Sequence, residues 1–192
     1  AAERIAWYLQ VYVRGANGKT PSELPGPQTN WTRSSLGPPG SIDTRHWKPG
    51  VAFADSLADY GRWVELWADV ARAKEAAGDT EWVEATWPQV KSMAQYMLSL
   101  RAHNVTKSGL GRGMLVGPAE HDTAIACTNW FSISAWTWRG FVQLQRYLVD
   151  QGVLKSESAF AAKLLAEATA FKLDLDEALN QSLIRGAGGE PF

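Results

Sequence analysis

The sequence predicts an all-α protein built from antiparallel helical hairpins. Apolar residues recur at spacings of three and four along several long segments. Glycine or a helix-capping residue stands where these segments end or begin, and no segment shows the apolar–polar alternation of a strand. A chain of 192 residues is long enough for one sizeable core. We therefore expect a single all-α domain over residues 1–192.

The N-terminal quarter combines a short helix with a long loop. Residues Ala2 to Arg14 are apolar at helical spacing and stop at Gly15, which predicts a helix. Residues 15–50 contain most of the nine prolines and many glycines. Proline lacks the amide donor that a helix needs, so this stretch is predicted to be a loop. A connection of this length is uncommon inside a compact domain unless it has a function.

The next two helices are predicted to form a hairpin. The first ends at Gly78, a natural C-terminal cap, and Asp79 or Thr80 then caps the second. Pro88 lies inside the second pattern and predicts a kink or a fresh helix start. The expected apolar stripes are Tyr60, Trp63, Trp67, Val70 and Ala71 on the first helix, and Val83, Trp87, Val90, Ala94 and Met97 on the second.

A second pair of helices follows a glycine-rich loop that runs from about His103 to Thr128. The third long helix is predicted to close at Gly152, and its first half is apolar nearly all round, which indicates burial on most sides. The last segment reads as an outer helix with charges on one side. Its predicted buried face is Leu164, Ala168, Phe171, Leu175 and Leu179.

Composition excludes some functions and leaves others open. The net charge of -1 removes the usual electrostatic reason to expect a nucleic-acid partner. No apolar run reaches the roughly 18 residues of a membrane span, so we expect a soluble protein without a membrane partner. Cys127 is the only cysteine and allows no intrachain disulfide, which leaves a secreted or periplasmic location open. Asn-x-Ser/Thr triplets occur at Asn30, Asn104 and Asn180.

Ten tryptophans are the unusual feature of the composition. Each buried aromatic ring removes about 150–250 Å² of surface from water, so most of these residues are expected to fill the core between helices. With so many rings, one or two are also expected at a site where they present a flat apolar face to a sugar.

Three stretches of the chain resemble a known family. They are YGRWVELWADVARAKEAAGDTEWVEATWPQVKSMAQYML, SGLGRGMLVGPAEHDT and WFSISAWTWRGFVQLQRYLVDQG. Together, over roughly residues 50 to 182, they resemble the six-hairpin glycosidases, which are (α/α)6-toroid enzymes related to glucoamylase, trehalase and the bacterial rhamnosidases and glucosidases. The resemblance implies that the helical hairpins form part of an (α/α)6 toroid and that the protein is a glycoside hydrolase acting on a carbohydrate.

One departure from the family matters. The toroid has twelve helices, whereas about five are predicted here. The chain is therefore expected to be a fragment of a larger α/α-toroid catalytic domain, or to be completed by a second protein chain. An incomplete toroid would leave apolar helix faces exposed, which favours such a partner.

The resemblance also implies where the catalytic residues lie. In these toroids the loops at one mouth of the barrel supply two carboxyl groups, one as general acid and the other to activate water or attack. The loop containing Glu120, His121 and Asp122 is the first candidate. Glu120 is interpreted as the general acid or base, with Asp122 orienting substrate hydroxyls and His121 donating a hydrogen bond. Trp130 would desolvate a carboxyl group and contact the sugar.

The second carboxyl group has no clear position in the sequence. Asp43 is one candidate, and the residues beside it, Arg45, His46 and Trp47, form a polar set that is expected to contact substrate. The remainder of the toroid is the alternative source of this carboxylate. The residues of both loops also have a simpler interpretation as turn and solvated loop residues.

Other chemistries have weaker support. The three histidines are too scattered for a zinc site, and no phosphate-binding loop is present, so neither a metal nor a cofactor is expected. Two other functions stay open. One is a polysaccharide lyase on a similar toroid, with basic residues such as Arg112 and Arg45 neutralising a uronate. The other is a non-catalytic carbohydrate-binding or structural portion of a larger protein.

Overall fold

The computed structural model describes residues 2–12, 57–105, 107–116, 129–150 and 153–183. Nearly all of them are helical and none is in a strand, which confirms the all-α class over the described ranges. The helices are α1 (Ala2–Tyr12), α2 (Leu57–Ala76), α3 (Thr80–Asn104), α4 (Phe131–Asp150) and α5 (Ser158–Ser182). Within these ranges no helix has the length and apolar character needed to cross a bilayer. The predicted loop at 15–50 lies outside the described residues.

The hairpin of α2 and α3 turns as the sequence predicts. Gly78 adopts a left-handed conformation with φ of 79°, which a side chain would disfavour. Asp79 is the N-cap of α3, and its carboxylate accepts a hydrogen bond from the Trp82 amide at 3.3 Å. The ammonium of Lys74 lies 2.6 Å from the same carboxylate. Because the turn is this short, α2 and α3 run antiparallel.

The prediction of a fresh helix start at Pro88 is wrong. Helix α3 runs unbroken from Thr80 to Asn104 with Pro88 inside it. Pro88 lies on the exposed side of the helix, where water can satisfy the carbonyl that loses its amide partner. The predicted apolar stripe of α3 is buried in full: Val83, Trp87, Val90, Ala94 and Met97.

The second hairpin joins α4 and α5 through a turn that contains a 3₁₀ segment, Lys155–Glu157. Four of the five predicted core positions of α5 are buried, but Leu179 is 45% exposed. Each step of four residues rotates a position by about 40° around a helix. Leu175 and Leu179 end the stripe with such a step, which carries Leu179 to its margin.

The two hairpins lie side by side with their first helices parallel. Positions early in α2 meet positions early in α4, and later positions meet later ones: Glu65 pairs with Arg139, and Glu75 accepts a hydrogen bond from Tyr147. A Cβ atom on Gly140 would stand 2.7 Å from the carbonyl oxygen of Gly61. The backbones of α2 and α4 therefore touch, and only glycine fits at the crossing.

Tryptophan fills the core between these helices. Trp67 is fully buried and makes ring contacts with Trp82, Trp87 and Tyr147 at centroid distances of 5.2–6.3 Å. Its indole N–H donates to the hydroxyl of Thr86 at 2.8 Å, so its polar atom is satisfied. These rings therefore fill the core between the helices, as the sequence predicts for most of the tryptophans.

The short helix α1 packs on the first hairpin. Ile5 and Leu9 are buried, and α1 contacts both α2 and α3. Parallel packing of α2 with α4 places the N-termini of α2 and α4 and the C-termini of α3 and α5 at the same end, which we call the loop end. The opposite end, with the two hairpin turns, is the turn end.

Candidate functional site

The loop end is where the predicted site residues join the described structure. Residues 13–56 lead into the first residue of α2, Leu57, and residues 117–128 lead into Asn129, just before α4. Because α2 and α4 are parallel, both junctions lie at the loop end. Asp43, Arg45, His46 and Trp47 belong to the first of these stretches, and Glu120, His121 and Asp122 to the second. All seven lie outside the described residues.

Trp130 is the one residue of the predicted hydrolase site that the structure describes. Arg112, named for the lyase alternative, is also described and is exposed. It directly precedes α4, and its side chain is 38% exposed. This places an aromatic ring at the surface of the loop end, two residues after the stretch 117–128. Gly152 and Cys127, which the sequence also singles out, lie outside the described residues.

A buried arginine anchors the segment that leads to the candidate loop. Arg101, near the end of α3, is fully buried. Its guanidinium donates to the carboxylates of Glu167 and Asp174 on α5, the latter at 2.7 Å, and to the carbonyl of Gly113 at 2.5 Å. The ring of Phe171 lies 4.1 Å from the guanidinium carbon. Charge-assisted hydrogen bonds of this kind are roughly twice as strong as neutral ones, so the backbone at Gly113 is held firmly.

Gly113 fits this position for two reasons. Its φ of 67° lies in the left-handed region that disfavours side chains. A Cβ atom there would also stand 2.6 Å from Nη1 of Arg101 and would overlap the carboxylate of Asp174. Its amide donates to the carbonyl of Asn104 at 3.0 Å. Asn104 is itself 7% exposed, so the asparagine of this Asn-x-Thr triplet is buried in the fold.

The two sides of the stretch 117–128 are tied together at its base. The amide of Leu115 donates to the hydroxyl of Ser134 on α4 at 3.0 Å. The side-chain amide of Asn129 donates to the carbonyls of Met114 and Leu115 at 3.4 and 3.5 Å. Residues 114–115 and 129 are thus neighbours, and the chain that contains Glu120 to Asp122 leaves and returns at one fixed place.

A charged aromatic cluster lies on α2 and α4 close to the loop end. The guanidinium carbons of Arg62 and Arg139 stand 4.6 and 5.4 Å from the ring centroid of Trp136. Nε of Arg139 lies 2.6 Å from Oε1 of Glu65, whose side chain is only 12% exposed. Such cation–π contacts contribute about 0.5–1 kcal/mol each at exposed sites. The cluster therefore presents guanidinium groups, a carboxylate and an indole on one surface.

The sequence analysis missed this cluster and Arg101. Arg62 and Glu65 lie three residues apart, as do Trp136 and Arg139, so each pair shares one helix face. That spacing could have indicated a charged face on α2 and an aromatic face with a charge on α4. Arg101 lies four residues after Met97, on the same buried stripe of α3. This position could have indicated that the arginine is buried.

Groups with shifted pKa values lie at the turn end instead. Burial raises the pKa of Tyr147 above its usual value, and its hydrogen bond to Glu75 adds to this. For Glu157, burial acts to raise the pKa, but hydrogen bonds from Lys91 and Trp87 outweigh it and lower the pKa. The Tyr147 shift comes mainly from burial, whereas the Glu157 shift comes from its ion pair and hydrogen bonds with Lys91 and Trp87 of α3.

Comparison of the chain with known protein families, with characterised proteins and with solved structures finds no match. Over the described ranges, no group of three or more His, Cys, Asp or Glu side chains is arranged to hold a metal ion.

Proposed function

We propose that this chain is part of a glycoside hydrolase with an (α/α)6-toroid catalytic domain. It would hydrolyse O-glycosidic bonds by carboxylate general acid/base catalysis, with Glu120 as acid or base. Asp122 would orient substrate hydroxyls and His121 would donate a hydrogen bond to them. The remainder of the toroid, or a second chain, would complete the barrel.

One observation carries the proposal. Helices α2 and α4 are parallel and in backbone contact, and both stretches that contain the candidate residues join the described structure at their N-terminal end. This is the arrangement that a toroid needs, because it gathers loops from successive hairpins at one mouth. Helical repeat proteins also place hairpins side by side, so the proposal rests on the carboxylate-bearing loop as well.

The anchored loop base supports a catalytic use of that loop. A glycosidase must hold two carboxyl groups at a set separation across the scissile bond, about 5–5.5 Å for retention and 6.5–9.5 Å for inversion. The Arg101 network and the Asn129 bridge fix both sides of the stretch 117–128. A fixed base lowers the entropy that Glu120 would lose on reaching its catalytic position.

A non-catalytic carbohydrate-binding role has one observation in its favour. The ring of Trp136 contacts the guanidinium groups of Arg62 and Arg139 near the loop end, and Trp130 is partly exposed there. Aromatic rings beside guanidinium groups can bind a sugar without any acid or base. In that case Glu120 would contribute nothing to turnover.

The test is release of reducing sugar from a panel of glycosides by the completed toroid, in which this chain is joined to or mixed with the remainder of the barrel, and by the same assembly with Glu120→Gln. We expect the substitution to lower the rate about 10²–10⁴-fold, as for loss of a general acid or base. Glu84→Gln is the matched control, because Glu84 is an exposed carboxylate on α3 away from the loop. The helical circular dichroism of both variants should equal that of the parent.

Three results would count against the proposal. Sugar binding without turnover in both parent and variant indicates a binding module. A product that absorbs ultraviolet light indicates a lyase, because elimination leaves an unsaturated sugar. Equal activity in the parent and Glu120→Gln chains removes Glu120 from the mechanism.

A further inference from the structure

Arg139 of the charged aromatic cluster has donor groups that its neighbours leave unused. Its Nε lies 2.6 Å from Oε1 of Glu65, and its guanidinium carbon stands 5.4 Å from the ring centroid of Trp136. Among the residues that the structure describes, Nη1 and Nη2 of Arg139 donate to no acceptor, and the side chain is 55% exposed. The guanidinium is therefore held at its Nε side and against the ring, while its terminal N–H groups are accessible to a ligand.

A guanidinium held in this way is preorganised for a carboxylate. Arginine presents its N–H groups as a rigid planar fork that matches the two oxygens of a carboxylate. Charge-assisted bidentate pairs of this kind are among the stronger hydrogen bonds in proteins. Because Glu65 and Trp136 already restrict the side chain, less conformational freedom is lost when a ligand binds.

The carboxylate of Glu65 does not prevent an anion from binding to Arg139. The Glu65 side chain is only 12% exposed, and it is already paired. The guanidinium carbon of Arg62 lies 4.6 Å from the ring centroid of Trp136, so the cluster holds two cations and one carboxylate. An anion that approaches from solvent therefore meets guanidinium groups first.

The cluster lies on the free side of the layer formed by α2 and α4. Trp67 of α2 contacts aromatic rings of α3, and Phe141 of α4 contacts a ring of α5. At about 100° per residue, Glu65 lies about 160° around α2 from Trp67, and Arg139 lies about 160° around α4 from Phe141. Both residues are therefore on the side turned away from α3 and α5.

This position relates the cluster to the proposed toroid. There α3 and α5 would be outer helices, so the free side of α2 and α4 would face the lumen. Arg139 lies about 12 Å along α4 from its first residue, Phe131, at the loop end. A substrate longer than one sugar would therefore reach both the loop end and Arg139.

We propose that the terminal N–H groups of Arg139 bind the carboxylate of an acidic sugar, a uronate, with Glu65 and Trp136 as positioning residues. That the ligand is a sugar rests on the proposed function, whereas the carboxylate follows from the geometry of Arg139. A uronate-bearing substrate is compatible with hydrolysis and with elimination, so this inference does not choose between them.

Isothermal titration calorimetry of the full chain tests the inference without requiring turnover. The probes are methyl glucuronide and methyl galacturonide, each compared with its neutral parent glycoside, which has a hydroxymethyl group in place of the carboxylate. We expect at least one uronide to bind about tenfold or more tightly than its neutral parent, because hydrogen bonds between charged groups are stronger than neutral ones.

Two arginine variants show whether Arg139 is responsible for this preference. Arg139→Lys keeps the positive charge but loses the planar fork, so it should abolish the preference for the uronide. Arg146→Lys is the matched control, because Arg146 is an exposed arginine seven residues further along α4. It should bind the probes as the parent does.

The positioning role of Glu65 has a separate test. Glu65→Ala should weaken the preference, because the guanidinium then loses the acceptor that fixes its Nε side. Glu65→Gln should retain most of it, since the amide oxygen can still accept from Nε. Both variants should keep the helical circular dichroism of the parent. An undiminished preference in Glu65→Ala would remove Glu65 from the inference.

The inference on Arg139 is overturned if both uronides bind no better than their neutral parents, or if neither class binds. A preference that survives Arg139→Lys also overturns it, as does tighter binding of methyl glucoside 6-sulfate than of either uronide. The Glu120→Gln chain should keep the preference. Failure of the hydrolase proposal would thus appear as absent turnover with the carboxylate preference intact.

Discussion

The loop end and the turn end of the two hairpins use the same chemistry in different surroundings. At the turn end, Lys74 pairs with Asp79 and Lys91 with Glu157, and all four side chains are partly exposed. At the loop end, the side chain of Arg101 is fully buried, and its partners Glu167 and Asp174 are 30% and 16% exposed. Exposed pairs contribute about 0–1 kcal/mol, whereas loss of one partner from a buried pair costs several times more. We therefore expect the loss of Arg101 to destabilise the loop end more than the loss of any one of these charged residues destabilises the turn end.

The largest effect is expected from Arg101→Met. The substitution leaves the carboxylates of Glu167 and Asp174 without their cation and removes the donor to Gly113. We expect a loss of about 3–5 kcal/mol in the free energy of unfolding, measured by urea titration. Arg146→Met, at an exposed arginine on α4, should change it by less than about 0.5 kcal/mol. Equal effects in the two variants would contradict the contrast between the ends.

The next effect concerns the contact that joins the hairpins. In Gly61→Ala, the new Cβ would stand 2.6 Å from the amide nitrogen of Thr137 and would overlap the carbonyl of Trp136. Overpacking of this kind costs about 1–3 kcal/mol, which exceeds the gain of about 1 kcal/mol in helix propensity. Urea titration should therefore show a destabilised protein. A more stable variant would mean that α2 and α4 can separate freely.

Two glycines at the loop end differ in whether they pack against Arg101. Gly113 and Gly109 have similar left-handed backbones, with φ of 67° and 75°. A Cβ on Gly109 meets nothing within 4 Å, whereas one on Gly113 meets Arg101 and Asp174. We expect Gly109→Ala to cost about 1 kcal/mol from the backbone alone and Gly113→Ala about 1–3 kcal/mol more from overpacking. Equal unfolding free energies for the two variants would mean that Arg101 and Asp174 can move aside to accommodate the new methyl group.

The smallest effect is expected at the turn end and depends on pH. The pKa of Glu157 is lower in the folded chain than its ordinary value of 4.5, so the unfolded carboxylate takes up a proton first as pH falls. Its contribution is present above the ordinary value and is lost as pH falls through the folded pKa. Glu157→Gln should lower stability at pH 7 by about 1 kcal/mol or less.

The measurement for Glu157 is a series of urea titrations from neutral to acidic pH. The difference between parent and Glu157→Gln should shrink as the pH falls. A difference that stays constant with pH would assign the effect of Glu157 to its hydrogen bond from Trp87 alone.

The helices and the first hairpin turn could be predicted from the sequence. The spacing of apolar residues predicted the core positions of α3, and Gly78 with Asp79 predicted the first hairpin turn. Both signals are local along the chain. Of the two outcomes predicted at Pro88, the fresh helix start is wrong, since whether a proline breaks a helix depends on which side faces water.

The features of the candidate site were harder to predict because they join distant residues. Arg101 contacts Glu167 and Asp174, which lie 66 and 73 positions away, and no spacing rule connects them. The cluster around Trp136 likewise forms only when α2 and α4 lie side by side. The roles of Glu120 and Asp43 remain predictions from the resemblance, and both lie outside the described residues.

The contact between Gly61 and Gly140 also sets a dimension of the molecule. With no side chain between the two backbones, α2 and α4 cannot slide or roll past one another without forcing a carbonyl into a neighbouring helix. We therefore expect the distance between Leu57 and Asn129, the two points where the candidate segments end, to stay constant. A ligand held between these two points would therefore have to match a fixed distance.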